Sequence, residues 1–459
     1  MTVPIHLLDK YNSPVPRYTS YPPANHFKDT FTTDNFVQAL IDSNKMQPEN
    51  LSIYIHIPFC KRLCFYCGCN KISMVEDNAI KKYIDALKTE MKSALSHIDK
   101  SRLLSQIHFG GGTPNVIPVG YLNEITSYLL SEFKSIENPE VAIECNPAYL
   151  DREYLVALNK AGVNRFSLGI QDFDQKILKS VNREIPEIPV NELVEMIHDI
   201  NPKAVINFDF IYGLPGQTVD SFSSTIDEAI SIGPDRIVTF SYAHLPSVFK
   251  AQAALERKGL PSPEQKIELY LNTYSQMKSN GYVPIGMDHY VKPDDELSLA
   301  FSNHLLHRNF QGYCTRRTTG QVYAFGISSI TQLENSYFQT TKSIEQYNES
   351  INQGIFPIEK GYILQPHEII VREVIDELMC NKILDFNILA ENLKIEKAEI
   401  KKCLTIDKTS LDTFAADGII NYSEDRIEIT EIGILFIRNV AASLDPVFQS
   451  SVMNYSKSV

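Results

Sequence analysis

The sequence predicts an α/β fold built on a parallel sheet. From residue 51 to about residue 244, short apolar runs alternate with stretches whose apolar residues recur at helical spacing, which is typical of parallel βα units. The pattern alone does not separate a partial barrel from a full eight-stranded barrel or a doubly wound sheet. The predicted strands cover residues 52–58, 104–109, 140–145, 164–169, 204–211 and 235–241.

Length, charge and hydropathy exclude several classes of protein. A chain of 459 residues is long enough for two or three domains, one of which could be a barrel. The net charge of −13 argues against a nucleic-acid-binding surface. No apolar run is long enough to span a membrane, and the first residues lack the features of a signal peptide. We therefore expect a cytoplasmic protein.

Half of the eight cysteines follow the first predicted strand within ten residues, between Cys60 and Cys69. Cys60, Cys64 and Cys67 have the spacing C-x3-C-x2-C, which is short enough for three thiolates of one loop to converge on one inorganic centre. Three thiolates suit a four-iron–four-sulfur cluster with one iron left open, since a cluster used only for electron transfer normally has four. The spacing therefore predicts an iron–sulfur site.

A zinc site and a disulfide framework fit the pattern of cysteines less well than a cluster does. A structural zinc site usually has two C-x2-C pairs held well apart in sequence, and no second pair or paired histidines follow here. A disulfide framework is disfavoured because the remaining cysteines are scattered singly, as in a reducing compartment. These are Cys145, Cys314, Cys380 and Cys403.

Polar residues concentrate at the carboxyl ends of the predicted strands, where barrels and open parallel sheets place their chemistry. The turn Gly110-Gly-Gly-Thr-Pro114 is either a tight βα connection or a bare backbone that a ligand approaches. Glu144 ends an otherwise apolar strand, where an unpaired charge is costly, so a ligand hydroxyl or amino group would satisfy it. Asp209 and Tyr242-Ala-His244 follow the same rule on later strands.

The chain divides into three predicted regions. Residues 1–50 form an N-terminal arm, in which residues 11–23 are too rich in proline and polar residues for a regular element. Residues 51–355 hold the barrel and an extension that includes an amphipathic helix at 263–279. Residues 360–459 form a mostly helical, winged-helix-like domain, with helical patterns at 367–381, 387–405 and 431–443 and two short strands within 419–430.

The cysteine loop and its flanks, Tyr54-Ile-His-Ile-Pro-Phe-Cys60 and Gly68-Cys69-Asn70, resemble the radical S-adenosylmethionine enzymes. More narrowly, they resemble the oxygen-independent coproporphyrinogen III oxidases of haem biosynthesis. Similar strings occur over nearly the whole chain: Ser167-Leu-Gly-Ile-Gln-Asp-Phe173, Val181-Asn-Arg-Glu184, Tyr242-Ala-His-Leu-Pro246, Gly286-Met-Asp-His289 and Leu306-His-Arg-Asn-Phe-Gln-Gly312. The resemblance implies a partial (β/α)6 barrel of the TIM type, with the N-terminal arm over the active site.

The resemblance also implies the cofactors and the residues that hold them. One 4Fe-4S cluster would be bound by Cys60, Cys64 and Cys67, and S-adenosylmethionine would occupy its open iron. Tyr54, Gly111, Glu144, Ala243 and Ile330 match the positions that line this S-adenosylmethionine. A second S-adenosylmethionine site is implied at Tyr66, Gly112, Thr113, Gln171, Arg183 and Asp209. Cys69 is a family feature whose role stays open.

The implied reaction is the anaerobic oxidative decarboxylation of coproporphyrinogen III. A 5′-deoxyadenosyl radical would convert the propionates of rings A and B to vinyl groups, giving protoporphyrinogen IX. Arg17, His289, His307 and Arg308 are candidates for substrate contacts, and a structural role is the alternative for each. An electron donor and a terminal electron acceptor, neither identified, are required, and we expect a monomer.

Two other functions remain possible. A haem-trafficking relative of the radical enzymes would bind haem without decarboxylation, but it typically lacks the arm sequence Arg17-Tyr-Thr-Ser-Tyr21 and the Gly68-Cys69-Asn70 ending. A binding protein that is only stabilised by a cluster or zinc would not need Glu144 or the glycine turn.

Overall fold

The computed structural model describes residues 4–73, 76–315, 320–449 and 455, and the chain forms two compact units. The first, which we call the barrel unit, consists of Lys28–Asn280 and Arg317–Tyr362. The second, the terminal unit, consists of Met1–Phe27, Gly281–Arg316 and Ile363–Val459. The three regions proposed from the sequence, with boundaries near residues 50 and 355, remain a prediction.

The barrel unit is built on one large sheet, and all six strands predicted from the sequence are present in it. The strand Gln321–Phe325 adds a seventh parallel strand, which the sequence analysis missed; it pairs with the first strand, Leu51–Ile57. In spatial order the strands are Ile358–Ile363, Ser336–Thr340, Ile330–Gln332, Gln321–Phe325, Leu51–Ile57, Leu104–Gly111, Ser135–Cys145, Arg165–Gln171, Val205–Tyr212 and Arg236–Ser241.

The direction of the strands confirms the predicted fold class. The seven strands from Gln321–Phe325 to Arg236–Ser241 run parallel. Ile330–Gln332 and Ser336–Thr340 then continue the sheet in antiparallel pairing. Among the described strands of this unit, the two ends of the order are not hydrogen-bonded to each other. The unit is therefore a partial, open barrel.

Helices connect the parallel strands, and their apolar positions face the sheet. In Asp77–Leu95 the residues at helical spacing, such as Ile84 and Leu87, are fully buried. The helix Pro263–Ser279 has the predicted bounds, and no described helix is long and apolar enough to cross a membrane. The other helices of this unit are Thr33–Ser43, Val119–Glu132, Arg152–Lys160, Gln175–Ser180, Val190–Ile200, Val219–Ile232, Ala253–Glu256 and Ile344–Asn352.

The terminal unit contains the predicted winged-helix-like order. The helix Pro366–Asp376 leads to the strand Ile383–Asp385, three short helices and the strand pair Ile420–Tyr422 and Arg426–Ile429, and the three strands form one small antiparallel sheet. The predicted helix at 387–405 is in fact two helices. The three short helices are Phe386–Leu393, Lys397–Cys403 and Lys408–Ala416. The unit also contains the helices Ile5–Tyr11, Glu296–Ser302, Ile437–Leu444 and Pro446–Gln449. Two hairpins complete it, Val283–Ile285 with His289–Val291 and Leu306–Asn309 with Gly312–Thr315.

The first part of the N-terminal arm is held by two aspartates from the end of the chain. The Tyr11 hydroxyl donates to Asp417 Oδ2 at 2.5 Å. The hydroxyls of Tyr18 and Tyr21 donate to the two carboxylate oxygens of Asp445, each at 2.9 Å. All three tyrosines and Asp445 are buried. This part of the arm is therefore an integral piece of the terminal unit, and its tyrosines are explained by these bonds.

A buried carboxyl group links the helix Asp77–Leu95 to the end of the seventh strand. Glu90 accepts hydrogen bonds from the Tyr347 hydroxyl at 2.6 Å and from the Gly326 backbone N–H at 2.9 Å. Burial outweighs these bonds and raises the pKa of Glu90 to about 7. Near neutral pH the folded protein therefore bears the cost of a buried, partly ionised carboxyl group.

Replacing Glu90 with Gln should flatten the pH dependence of the free energy of unfolding. Folded Glu90 stays protonated up to about pH 7, whereas the unfolded side chain ionises above pH 4.5, so stability falls as pH rises through this window. The shift from 4.5 to about 7 corresponds to about 3 kcal/mol at most. Urea unfolding near pH 5.5 and near pH 8 measures the change.

The matched control is Glu124→Gln, which removes one member of an exposed ion pair with Lys88. Because exposed ion pairs contribute little to stability, this variant should keep the wild-type pH dependence. If Glu90→Gln loses as much stability as the wild type between the two pH values, the raised pKa is wrong.

Candidate active site

The cysteine loop leaves the first strand at its carboxyl end, and both ends of the loop are fixed there. The short strand Phe59–Cys60 pairs in parallel with Ile72–Ser73, on the two sides of the loop. The His56 ring Nε2, on the first strand, lies 2.9 Å from the backbone oxygen of Asn70. The loop is therefore closed on itself at the edge of the sheet where the strands end.

Two of the three predicted cluster ligands lie next to polar side chains, one from the glycine turn and one from the segment after the helix Gln175–Ser180. Cys60 Sγ lies 3.4 Å from the Thr113 hydroxyl, in the glycine turn. Arg183 Nη1 donates to Cys64 Sγ at 3.8 Å. Hydrogen bonds to sulfur are among the features that tune an iron–sulfur centre, so these neighbours fit the predicted site.

The third predicted ligand, Cys67, is stabilised as a thiolate by its neighbours. The Cys69 backbone N–H donates to Cys67 Sγ at 3.4 Å. A hydrogen bond from the Cys69 thiol, together with the Lys71 ammonium group, outweighs burial and lowers the pKa of Cys67 to about 6. Burial raises the pKa of Cys60 instead. Cys69 thus supports a neighbouring sulfur, a contact that the sequence alone did not indicate.

Within the described ranges, no three side chains of His, Cys, Asp or Glu converge on one position where a single metal ion would be held. The thiolates of an iron–sulfur cluster bind different irons, so their sulfurs are spaced more widely than donors to a single ion. A site for three thiolates that bind different irons does not require such convergence.

The glycine turn is required by the protein's own backbone. A Cβ atom at Gly112 would lie 2.6 Å from the Pro58 carbonyl oxygen. Gly111 has φ +117°, which favours glycine, and a Cβ there would lie 2.8 Å from the His56 ring. The close approach lets Gly112 N–H donate to Ile57 O at 2.8 Å. A tight βα connection is therefore sufficient to explain the glycines of this turn.

Glu144 already has partners within the protein, contrary to the expectation that a ligand would be needed to satisfy it. Its Oε1 lies 3.1 Å from His108 Nε2, and its Oε2 accepts from the Gly111 backbone N–H at 3.2 Å. Burial would raise the pKa of Glu144, but the bonds from His108 and Gly111 outweigh it and lower the pKa. The carboxylate is therefore ionised at neutral pH.

His108 belongs to a chain of polar groups inside the barrel. Arg165 Nη2 lies 3.4 Å from His108 Nδ1, and Arg165 Nε lies 3.0 Å from Glu140 Oε1. Because the guanidinium can only donate, His108 Nδ1 accepts and Nε2 carries the proton toward Glu144. Burial opposes ionisation of Glu140, but Arg165 and Arg236 lower the pKa of this carboxyl to about 2. The tautomer of His108 is thus set by its buried neighbours.

Arg183 and Asp209, two residues of the implied second S-adenosylmethionine site, each contact the protein. Arg183 Nη2 donates to the Gly169 carbonyl oxygen. Asp209 accepts from the Ser167 hydroxyl at 2.7 Å and from Asn207 Nδ2 at 2.8 Å. Both side chains are therefore fixed before any ligand binds.

A cavity of about 330 Å³ opens onto the cysteine loop and the strand ends. It brings together all the predicted cofactor and cluster residues except Tyr54 and Ile330. These lining residues are Cys60, Cys64, Tyr66, Cys67, Gly111, Gly112, Thr113, Glu144, Gln171, Arg183, Asp209 and Ala243.

Tyr54 and Ile330 lie outside the residues that line the cavity. Tyr54 is in the middle of the first strand, with its hydroxyl 3.3 Å from His56 Nδ1 and its ring against Gly110. Ile330 begins an antiparallel strand and pairs with Gln339. Their contact with S-adenosylmethionine stays a prediction.

The four predicted substrate contacts, Arg17, His289, His307 and Arg308, all lie in the terminal unit. His289 Nδ1 lies 2.7 Å from Asp288 Oδ1, and His307 Nδ1 lies 3.4 Å from Asp376 Oδ2. Both histidines therefore have carboxylate partners within their own unit, as the structural alternative requires, and their contact with substrate remains a prediction.

The sequence analysis missed two residues that shape the cavity. Gln252 donates to the Tyr66 carbonyl oxygen at 2.9 Å and to that of Ala243 at 3.2 Å, so it holds two predicted binding segments together. The Phe249 ring lies so close to Gly68 that a Cβ there would be 3.2 Å from it. Neither residue belongs to a strand end or a recognisable motif, so no sequence pattern identified them.

Comparison with known proteins gives matches over almost the whole chain. A sequence profile of the Radical SAM superfamily matches residues 54–229. The oxygen-independent coproporphyrinogen III oxidase of Synechocystis sp. is 36% identical over 97% of this chain and 95% of its own length. The protein of the same name from Helicobacter pylori strain J99 is 34% identical, with 100% of both chains covered.

A solved structure gives the same result for the fold. Coproporphyrinogen III oxidase from Escherichia coli, described as a radical SAM enzyme, matches with a TM-score of 0.87 and 34% identity, over 97% of this chain and 99% of that one. The match extends far beyond the barrel. This protein therefore belongs to the oxygen-independent coproporphyrinogen III oxidase family of the radical S-adenosylmethionine superfamily.

Proposed function

We propose that this protein catalyses the anaerobic oxidative decarboxylation of coproporphyrinogen III to protoporphyrinogen IX, converting the propionates of rings A and B to vinyl groups. The observation that carries the proposal is the full-length relationship to proteins named for this activity. The cavity supports it, because it joins three thiols of one loop to the ends of several strands.

The cofactors are one 4Fe-4S cluster and S-adenosylmethionine. We propose that Cys60, Cys64 and Cys67 hold the cluster, and that Tyr54, Gly111, Glu144, Ala243 and Ile330 line the S-adenosylmethionine bound to it. When bound, these groups supply the 5′-deoxyadenosyl radical that removes hydrogen from a propionate side chain. The second S-adenosylmethionine would lie at Tyr66, Gly112, Thr113, Gln171, Arg183 and Asp209.

The protein's own contribution is to orient the bound groups and to limit access of water. Glu144 offers an ionised carboxylate that accepts a hydrogen bond from a ligand hydroxyl or amino group, while His108 and Gly111 hold its position. Gln171 has φ +72° at the end of its strand. A non-glycine residue in this region carries a conformational cost, which is frequent at binding sites.

The alternative is a haem-trafficking relative without decarboxylase activity. Two sequence features argue against it, the arm Arg17-Tyr-Thr-Ser-Tyr21 and the Gly68-Cys69-Asn70 ending. The buried bonds of Tyr18 and Tyr21 to Asp445 are a third argument, because they make the arm part of the fold. The oxidase function fits these observations better.

Electron balance requires two further partners. One electron must enter the cluster for each cleavage of S-adenosylmethionine, and one must leave the substrate after hydrogen removal and loss of carbon dioxide. We therefore infer an electron donor for the cluster and a terminal electron acceptor as partners of this protein. A cytoplasmic location and a monomeric state remain predictions; the singly scattered cysteines support the first.

The reaction can be tested directly with the anaerobically reconstituted protein. With a reductant, S-adenosylmethionine and coproporphyrinogen III, it should release carbon dioxide and form 5′-deoxyadenosine and protoporphyrinogen IX. Cys64→Ala should lose most of the iron and the activity, whereas Cys403→Ala, a thiol of the terminal unit, should keep both. Deoxyadenosine formed while the substrate kept its four carboxylates would overturn the oxidase function and leave the radical chemistry standing.

Replacing His108 with Leu should weaken the binding of S-adenosylmethionine. Loss of the bond from His108 raises the pKa of Glu144, so the weakening should grow as pH falls. A hydrogen bond to a charged group contributes about 1.5–3 kcal/mol, which predicts a loss of affinity of about tenfold or more. Equilibrium dialysis of S-adenosylmethionine against the reconstituted protein at several pH values measures the effect.

His108→Gln is the matched variant, because its amide can still donate to Glu144. It should restore much of the affinity at neutral pH. Wild-type affinity in His108→Leu at every pH would show that His108 does not act on S-adenosylmethionine through Glu144.

A further inference from the structure

Three arginines of the terminal unit meet at one stretch of the N-terminal arm. Arg438 donates from Nε to the Pro16 carbonyl oxygen at 2.9 Å and from Nη2 to that of Val15. Arg308 donates from Nη1 to the carbonyl oxygen of Arg17 at 3.2 Å. Two guanidinium groups thus hold three consecutive backbone carbonyls, and the third guanidinium belongs to Arg17 itself.

The Arg308 side chain is held in place and still has an unused donor. In the hairpin of Leu306–Asn309 and Gly312–Thr315 it lies opposite Tyr313, with its guanidinium 5.1 Å from the centre of the Tyr313 ring. Its Nε is buried and has no hydrogen-bond partner among the described residues. Buried donors normally have a partner, so this one calls for a ligand.

The geometry of a guanidinium identifies the kind of ligand. Nη1 of Arg308 donates to the backbone of the arm, and the Nε edge of the guanidinium is the side that a ligand can bind. A carboxylate binds a guanidinium edge through two parallel hydrogen bonds, one to each oxygen. The vacant edge of Arg308 therefore matches a carboxylate better than a single hydroxyl or carbonyl.

The surrounding charges favour an added anion. Arg438 is buried, and burial together with the nearby Arg17 and Arg308 lowers its pKa to about 9. The acidic groups near Arg308 are Asp288 and Asp376, and Asp288 also lies near Arg17. Each of these carboxylates also has a histidine neighbour, at 2.7 Å and 3.4 Å respectively. An anion bound beside the arginines would offset the cost of burying the charge of Arg438.

We propose that Arg17, Arg308 and Arg438 form a carboxylate-binding site, which on the proposed function takes a propionate of coproporphyrinogen III. Arg308 binds the carboxylate through its Nε edge, and the exposed Arg17 side chain adds a second cation. Arg438 is a positioning residue, since its bonds to Val15 and Pro16 fix the arm next to Arg17. The site gives the C-terminal region a role in substrate recognition.

The test uses coproporphyrin III, the stable aromatic form that keeps the same four carboxylates, titrated by fluorescence into the anaerobically reconstituted full-length protein. Arg308→Gln should weaken binding about tenfold to a hundredfold, as expected for loss of hydrogen bonds to a charged group. Arg308→Lys should recover only part of the affinity, because an ammonium group lacks the planar fork. The tetramethyl ester should bind equally to the wild type and to Arg308→Gln.

Arg17→Gln separates recognition from folding, because its carbonyl oxygen, which Arg308 uses, is unchanged. It should weaken binding while the melting temperature stays at the wild-type value. Arg152→Gln, which breaks an exposed ion pair with Asp199, is the control and should bind as the wild type does.

Two results would overturn parts of the proposal separately. Unchanged affinity for coproporphyrin III in both Arg17→Gln and Arg308→Gln would overturn the carboxylate site, even if the wild type decarboxylates coproporphyrinogen III. Arginine-dependent binding in a wild type that never releases carbon dioxide would support the site and overturn the oxidase function.

Discussion

The close approach of the glycine turn to the first strand is the constraint on which the site depends. Gly112 N–H donates to Ile57 O at 2.8 Å, and Thr113 N–H donates to Phe59 O at 2.9 Å. These bonds join the end of the second parallel strand to the start of the cysteine loop. Any side chain at Gly112 would push the two backbones apart, because a Cβ would lie 2.6 Å from the Pro58 carbonyl oxygen. The position of the three thiols relative to the strand ends follows from this contact.

Buried charges inside the barrel are arranged in pairs that reach the cavity. Along this series Glu140 contacts Arg165, Arg165 contacts His108, and His108 contacts Glu144, which lines the cavity. Neighbouring groups in this series lie 3.0–3.4 Å apart, and opposite charges held this close offset part of the cost of burying them. A carboxylate that is ionised and oriented before the ligand arrives loses little free energy on binding it. The network therefore connects the buried charges of the barrel to a carboxylate that lines the cavity.

The terminal unit shows how distant parts of the chain build one structure. Asp445 binds Tyr18 and Tyr21, which lie 427 and 424 residues earlier, and Arg438 binds the backbone of Val15 and Pro16. The N-terminal arm thus contacts the C-terminal region through side-chain hydrogen bonds and through the packing of the Tyr11 ring against Phe414 and Phe436. A substitution that removes these hydrogen bonds from one terminal region should therefore also alter the packing of the other.

The sequence by itself determined the local elements and the chemistry of the loop. Apolar periodicity located the six parallel strands and most helices, and the spacing of Cys60, Cys64 and Cys67 indicated the cluster, because both are properties of neighbouring residues. Only the tertiary structure decided which strand pairs with the outer edge of Leu51–Ile57, which group forms the hydrogen bond to Glu144, and which residues hold the arm. These depend on contacts between residues far apart in the chain, and such contacts leave no periodic pattern. For that reason Gln321–Phe325, His108 and Asp445 became informative only once the chain was folded.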